Sequence, residues 1–416
     1  MTQNQSFANQ YYTINYSDNS KLKIAEIQST IPLTQLDEIQ DIVMENITFH
    51  MPQLAREVPY YNLEYISNLK KIAKSLSKKF KNIVVVGMGG GILNGMCLNN
   101  FVDRNDINII FSTKICASYL SKIKISIDLE KTAFIFISNS GDTVETVVSA
   151  DYWYRVLLSQ QITDCSNRFI FIYGQKETSL LKDLHTTYDG IFLPYDGEMG
   201  GRFSTFTTPH LLIALLSGID IDQCFDGANE LLNEFKTHTL QNTLFSGVFF
   251  TTCNLNQSNS TGILVGSYNL ELYGLTKWYH TAIAEIFGRE EINISTIHLD
   301  LPVDQHGLMQ ALLNNNTEQI FNLFSIKNSI DNNISVVQKI MQSEVVDQFS
   351  KRGIATREFV FENTSAQTLG RVMMYLILEL ITTATFMKIN PFIQPQIDRM
   401  KMNIAKEYRK YIQRVP

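Results

Sequence analysis

Residues 132–146 read TAFIFISNSGDTVET. An apolar run of β-branched and aromatic side chains gives way at Ser138 to hydroxyls, a glycine and an acid. The chain then continues as VETVVSADYWYRVL, with the spacing of a helix. That is the pattern of a buried strand ending in a loop that opens a helix. Two readings of the loop stand at this level. Ser138, Ser140 and Thr143, with the loop amides and the helix N-terminus, can hold a phosphate without a cation. Alternatively, Thr143 with Thr146, or Ser140 with Thr143, forms a helix N-cap and nothing is bound.

Working outward, the same rhythm repeats. NIVVVG (82–87), INIIF (107–111), RFIFIYG (168–174) and GIFLPY (190–195) are short apolar runs with helical patterns between them. This alternation predicts a parallel sheet with helices on both faces. A second set begins near residue 245, with strands expected at GVFFTT (247–252), GILVG (262–266), ISTIHLDL (294–301) and REFVFE (357–362). The expected fold class is α/β: two three-layer α/β/α sandwiches with parallel sheets, joined near residues 218–245, plus a C-terminal helical segment. The corresponding division is 1–60 (N-terminal helical segment), 61–235, 236–385 and 386–416.

Helices flank these runs. IPLTQLDEIQDIVMENI carries Leu36, Ile39, Val43 and Ile47 on one stripe, and NLEYISNLKKIAKSLSKKF has a basic outer face. VMMYLILELITTATFM is apolar enough to suggest a membrane span, but Glu379 interrupts it, and a buried core helix is expected. The tail PQIDRMKMNIAKEYRKYIQRV predicts an exposed or wrapping amphipathic helix.

Composition narrows the function classes. A net charge of −6 with both signs interspersed argues against a broad nucleic-acid-binding face. The five cysteines (Cys97, Cys116, Cys165, Cys224, Cys253) are scattered and never spaced C-x-x-C, which suits reduced thiols in a cytosol. The seven histidines form no zinc-like cluster, and MTQNQSFANQYYTINYSDNS lacks the apolar core of a signal peptide. A cytoplasmic protein without membrane attachment is expected.

VVVGMGGGILNG places Gly87, Gly89, Gly90 and Gly91 between a strand and a helix, where backbone amides can approach an anion. It is not G-x-G-x-x-G, and INIIFST ends without the acid that a ribose would need, so a nicotinamide site is not expected. Two such loops at strand C-termini in one domain favour an anion site over a bare cap.

At this point the residues resemble a family. ISNSGDTVET is similar to the phosphate-binding loop of sugar isomerase (SIS) domains. GGRFSTFTTPHLLIALLSGID (200–220) resembles the G-G-R-[FY]-S signature of the glucose-6-phosphate isomerase family. WYHTAIAEIFG (278–288), DQHGLMQALL (304–313) and INPFIQPQIDRMK (389–401) resemble three further segments of that family, in the family's order. The length and the ending look most like the shorter bacterial forms.

The resemblance implies two SIS-type domains in a homodimer with shared active sites. It implies exchange of glucose 6-phosphate and fructose 6-phosphate without metal or cofactor. Glu285 would be the base, moving a proton between adjacent carbons through a cis-enediol. Arg202 would stabilise the enediolate. Lys401 and His306 would open the sugar ring, His306 arriving from the neighbouring subunit, with Gln394 beside the lysine. Gly90, Gly91, Ser138, Asn139, Ser140 and Thr143 would surround the phosphate, and Glu145 would support the loop from behind. His50, His185, His210, His238, His280 and His298 match nothing and are expected to be structural.

The chain also departs from the pattern. The family's first loop has a serine where Gly91 stands, and its second loop a lysine where Asn139 stands. Each lost contact costs on the order of 1 kcal/mol, more for the charge. Ile393, Gln396, Ile397 and Asp398 replace Asp, Gly, Val and Glu in the last motif. Two alternatives follow: an isomerase of another phosphosugar such as mannose 6-phosphate, or a phosphosugar-binding regulator. The joint presence of Glu285, His306 and Lys401 argues against a pure binding module.

Overall fold

The computed structural model describes residues 12–16, 33–50, 63–101, 107–175, 177–195, 200–237, 241–256, 261–289, 292–314, 318–327 and 333–414. His238 and the polar stretch before Tyr12 lie outside them, as does the side chain of His50. The chain divides into two compact units. One comprises Met1–Phe49, Asn100–Val102 and Asp220–Pro391, and the other His50–Asn99, Asp103–Ile219 and Phe392–Pro416. Each holds a five-stranded sheet, so the α/β fold with two parallel sheets is as expected.

In the His50–Asn99 unit the strands are β2 (Asn82–Val86), β3 (Asn108–Ser112), β4 (Thr132–Ser138), β5 (Phe169–Tyr173) and β6 (Ile191–Pro194). They run parallel in the order β3-β2-β4-β5-β6. All seven residues of β4 are buried, which explains why it reads as an unbroken apolar run. Its core is aromatic: Phe134 packs on Trp153 of the helix Val144–Ser159 at 4.9 Å, and Phe136 on Phe171 at 5.2 Å. The chain leaves β2 for β3 on one side and returns to β4 on the other. The C-terminal ends of β2 and β4 therefore form the switch point where open α/β sheets bind ligands.

The other unit contains β1 (Tyr12–Tyr16), β7 (Thr261–Ser267), β8 (Ile294–Asp300), β9 (Glu318–Ile326) and β10 (Ala355–Phe361) in the order β1-β10-β9-β7-β8. Four strands are parallel. β1, from the N-terminal stretch, pairs antiparallel with the β10 edge. GVFFTT is not a strand: it lies in the helix Gln241–Asn256, buried along residues 243–255. A helix buried on every side shows no periodicity, so its short apolar run imitates a core strand. β9, Glu318–Ile326, is a strand of this sheet that was not among those expected.

The helix Ala366–Phe386 is the single helix among the described residues long and apolar enough to cross a membrane, and 89% of its most apolar window is buried within the protein. It is a core helix, as expected. Glu379 breaks its apolar run for a reason visible in the fold. The carboxylate is fully buried and accepts from Arg357 Nη1 of β10 at 2.8 Å. Arg357 also donates to Asn322 Oδ1 of β9 and to the Tyr279 hydroxyl, between the rings of Phe250 and Phe359.

Candidate active site

β4 ends at Ser138, and the next residues turn tightly. Gly141 N donates to Ser138 O at 3.0 Å, and Gly141 has φ +69°, where a side chain would be strained and would strike Ser179. The turn gathers the three hydroxyls. Ser138 Oγ lies 2.8 Å from Thr143 Oγ1 and 3.5 Å from Ser140 Oγ. Thr143 occupies the N-cap position of the helix Val144–Ser159 but makes no side-chain cap bond, because its hydroxyl is turned to Ser138. Thr146 reaches back to Ile137 O instead. The pure capping arrangement is therefore not the one formed.

The glycine loop follows β2, and the helix Gly90–Phe101 starts at Gly90 itself. Gly90 packs directly on the backbone of Gly201 and Arg202: a Cβ at Gly90 would fall 2.4 Å from Gly201 C and 2.5 Å from Arg202 N. Gly91 is different, since a Cβ there meets only Ile137 Cγ2 at 3.9 Å. Gly90→Ala is thus expected to destabilise the fold by about 1–3 kcal/mol through overpacking against backbone. Gly91→Ala is expected to cost well under ~1 kcal/mol. Urea midpoints of the two variants check this, and equal midpoints would refute the close approach.

Three side chains that the motifs did not flag lock these loops together. Asn94, fully buried, donates to Gly90 O at 2.6 Å and Gly201 O at 2.7 Å, and accepts from Thr205 Oγ1. His210 is not idle packing: Nδ1 faces Ser204 O at 2.6 Å and Nε2 faces Gly91 O at 3.1 Å. Burial pushes the His210 pKa down to about 4, although the two carbonyls pull the other way. A neutral ring can donate to one of these carbonyls, and only a protonated ring to both. The only sign of Asn94 in the sequence is a carboxamide inside an apolar helix, GILNGMCL.

Arg202 lies in the turn Gly201–Phe203 and is 1% exposed, with its guanidinium against Gly200 and the Phe203 ring. Phe203 packs on Phe392 at 5.5 Å, which ties the GGRFS segment to the start of the C-terminal motif. Gln394 stands at the N-cap of the helix Pro395–Ile412, and its Oε1 is buried with no hydrogen-bond partner among the described residues. The helix is amphipathic and largely exposed, with Ala405 as its buried residue. It lies by the serine loop, where Arg409 Nη2 pairs with Asp142 Oδ1 at 2.7 Å. A cavity of about 390 Å³ is lined by Ser140, Thr143, Glu145, Met88, Lys401 and Lys406, among others. This unit therefore brings Lys401 to the serine loop and to Glu145. Asn139 stands in the same turn, its carbonyl accepting from Gly174 N.

Glu285 and His306 belong to the other unit. Glu285 is half-buried in the last turn of the helix Tyr273–Phe287. That helix runs back along the sheet: Thr276, near its start, meets His298 near the end of β8 at 3.0 Å. Its last turn therefore lies towards the start of β8. His306 is exposed in the turn Val303–His306 that follows β8. The seven residues of β8 span roughly 20 Å, with Glu285 towards the start of the strand and His306 beyond its end. The turn is held by Tyr268, whose hydroxyl donates to Gln305 Oε1 at 2.7 Å. Burial pushes the Tyr268 pKa up to about 12, which keeps it a donor.

The profile of the phosphoglucose isomerase family matches residues 68–290. The chain belongs to this family of isomerases. A glucose-6-phosphate isomerase of Mycoplasma capricolum is 23% identical over 378 residues, covering 84% of this chain and 88% of the relative. One of Methanocaldococcus jannaschii is 25% identical over 320 residues, covering 76% and 75%. Among solved structures, a hypothetical protein from Thermus thermophilus superposes with TM-score 0.79 at 15% identity, covering 95% of this chain and all of that one. A glucose-6-phosphate isomerase from Chlamydia trachomatis superposes with TM-score 0.77 at 16% identity, covering 98% and 90%. These two superpositions speak to the fold.

Proposed function

We propose that this isomerase interconverts glucose 6-phosphate and fructose 6-phosphate. The observation that carries the reading is the cavity where Ser140 and Thr143 meet Lys401, in a chain of the phosphoglucose isomerase family. The hydroxyls and amides of the serine and glycine loops hold the phosphoryl group at the switch point of the sheet. Lys401 and His306 move protons on the ring oxygen and O1 to open the sugar. Glu285 takes the proton from C2 of the open aldose, leaving a cis-enediol, and returns it to C1 of the ketose. Arg202 offsets the negative charge that develops on the enediolate.

A dimer is part of the reading. Glu285 lies towards the start of β8 and His306 beyond its end, a strand length of roughly 20 Å, which supports a site built from Glu285 of one subunit and His306 of another. A symmetric pair supplies two such sites. Residence in a reducing cytosol fits five cysteines that form no disulfide. The test is the rate of fructose 6-phosphate formation from glucose 6-phosphate by purified protein, with mannose 6-phosphate in parallel. Turnover on glucose 6-phosphate at least tenfold above mannose 6-phosphate is expected. The reverse order would replace the substrate, and binding without turnover on either would replace the enzyme by a regulator.

A further inference from the structure

The serine loop is short of positive charge. Ser138-Asn139-Ser140-Gly141-Asp142-Thr143 carries no cation, and the Asp142 carboxylate would repel a phosphate dianion. The C-terminal helix answers both deficits. Arg409 pairs with Asp142 Oδ1 at 2.7 Å, and the same oxygen accepts from Leu180 N at 3.2 Å, so this carboxylate is neutralised and held. Lys406 lines the same cavity as Ser140 and Thr143. Among the described residues the ion pairs of this helix run from Arg409 to Asp142 and from Lys410 to Glu407; Lys406 takes part in neither, although its charge acts on Glu407. At 100° per residue, Lys401 and Lys406 flank the stripe that contains Ala405 on opposite sides. The two lysines thus have room for separate tasks.

We infer that Lys406 is the phosphate-binding cation of this site, supplied by the C-terminal helix in place of a charge in the loop, with Arg409 silencing Asp142. This rests on the isomerase reading of the cavity and adds a residue that the motifs do not contain. It assigns the C-terminal helix an electrostatic role in substrate affinity, distinct from the ring-opening role of Lys401. A lysine that binds phosphate acts as a point charge, so arginine substitutes for it partly and glutamine does not.

The test compares wild type, Lys406→Gln, Lys406→Arg and, as control, Lys410→Ala. KM and kcat for glucose 6-phosphate are read together with the dissociation constant of inorganic phosphate by calorimetry. Lys406→Gln is expected to raise KM and weaken phosphate binding about 10-fold with kcat nearly kept, as for loss of one hydrogen bond to a charged group. Lys406→Arg recovers part of the loss, and Lys410→Ala changes neither constant by more than about twofold. Asn139→Lys in the Lys406→Gln background is expected to restore phosphate affinity, which a merely structural lysine would not allow. Lys406 is exposed, so the substitutions at Lys406 leave the fold intact. If wild type turns over and Lys406→Gln leaves both constants within twofold, the inference falls and the isomerase reading stands. If wild type binds phosphate without turnover and Lys406→Gln weakens that binding, the inference stands and the isomerase reading falls. Absence of both turnover and phosphate binding in wild type overturns both.

Discussion

Glu285→Gln is expected to lower kcat for glucose 6-phosphate by roughly 10²–10⁴-fold while KM stays within a few-fold. The amide keeps the size of the carboxylate and much of its hydrogen bonding, but it cannot take up the C2 proton. The interaction lost is therefore one made only on the way to the transition state. Glu285 is half-buried near the end of its helix, so the substitution leaves the packing of Ile283, Ile286 and Phe287 untouched. A loss below tenfold would remove Glu285 from the role of base. The same variant tests the pairing of subunits. Refolding Glu285→Gln together with inactive His306→Ala is expected to recover about one quarter of wild-type activity, because half of randomly mixed dimers carry one intact site. No recovery from the mixture would mean that Glu285 and His306 do not meet across a dimer.

How much of this was legible beforehand depends on where each side chain finds its partner. β2, β4 and β5 are buried on both faces, so their apolar runs survive intact in the sequence and end visibly in glycine or serine. β9 escaped notice because Gln319, Asn322 and Ser325 interrupt it, yet all three are buried. Asn322 is there as an acceptor for Arg357, a partner 35 residues away. The helix Gln241–Asn256 passed for a strand because it is buried on every side. The hydroxyl loop could be read, since its residues are contiguous and its chemistry is local. Asn94, His210 and the Arg409–Asp142 pair could not, since each joins segments more than 100 residues apart in the chain.

The largest expected effect on stability lies at the buried pair of Arg357 and Glu379. Glu379→Ala is expected to destabilise the protein by about 3–5 kcal/mol, a large share of the ~5–15 kcal/mol that holds a typical domain. The substitution leaves the Arg357 guanidinium in the core, 0% exposed, with Asn322 Oδ1 and the Tyr279 hydroxyl as neutral neighbours and no counter-charge at position 379. The pair is closely packed. Gly247 is pressed so close that a Cβ there would sit 2.8 Å from Glu379 Oε2 and 3.0 Å from Arg357 Nη1. The pair itself is a poor source of net stability, because both ions were stripped of water to enter the core. Arg357→Met combined with Glu379→Leu is therefore expected to be far less damaging than Glu379→Ala alone. Urea unfolding of the two variants decides the matter. If Glu379→Ala loses less than ~1 kcal/mol, the arginine has found water or another partner, and the pair is not the pin of this core. If the double variant is the worse of the two, the attraction between the ions outweighs their desolvation at this position. Tyr279 gives the pin a link to function: it shares the helix of Glu285 and touches both Arg357 and Glu379. Loosening the pair should therefore reduce kcat in step with stability, whereas Glu285→Gln separates the two.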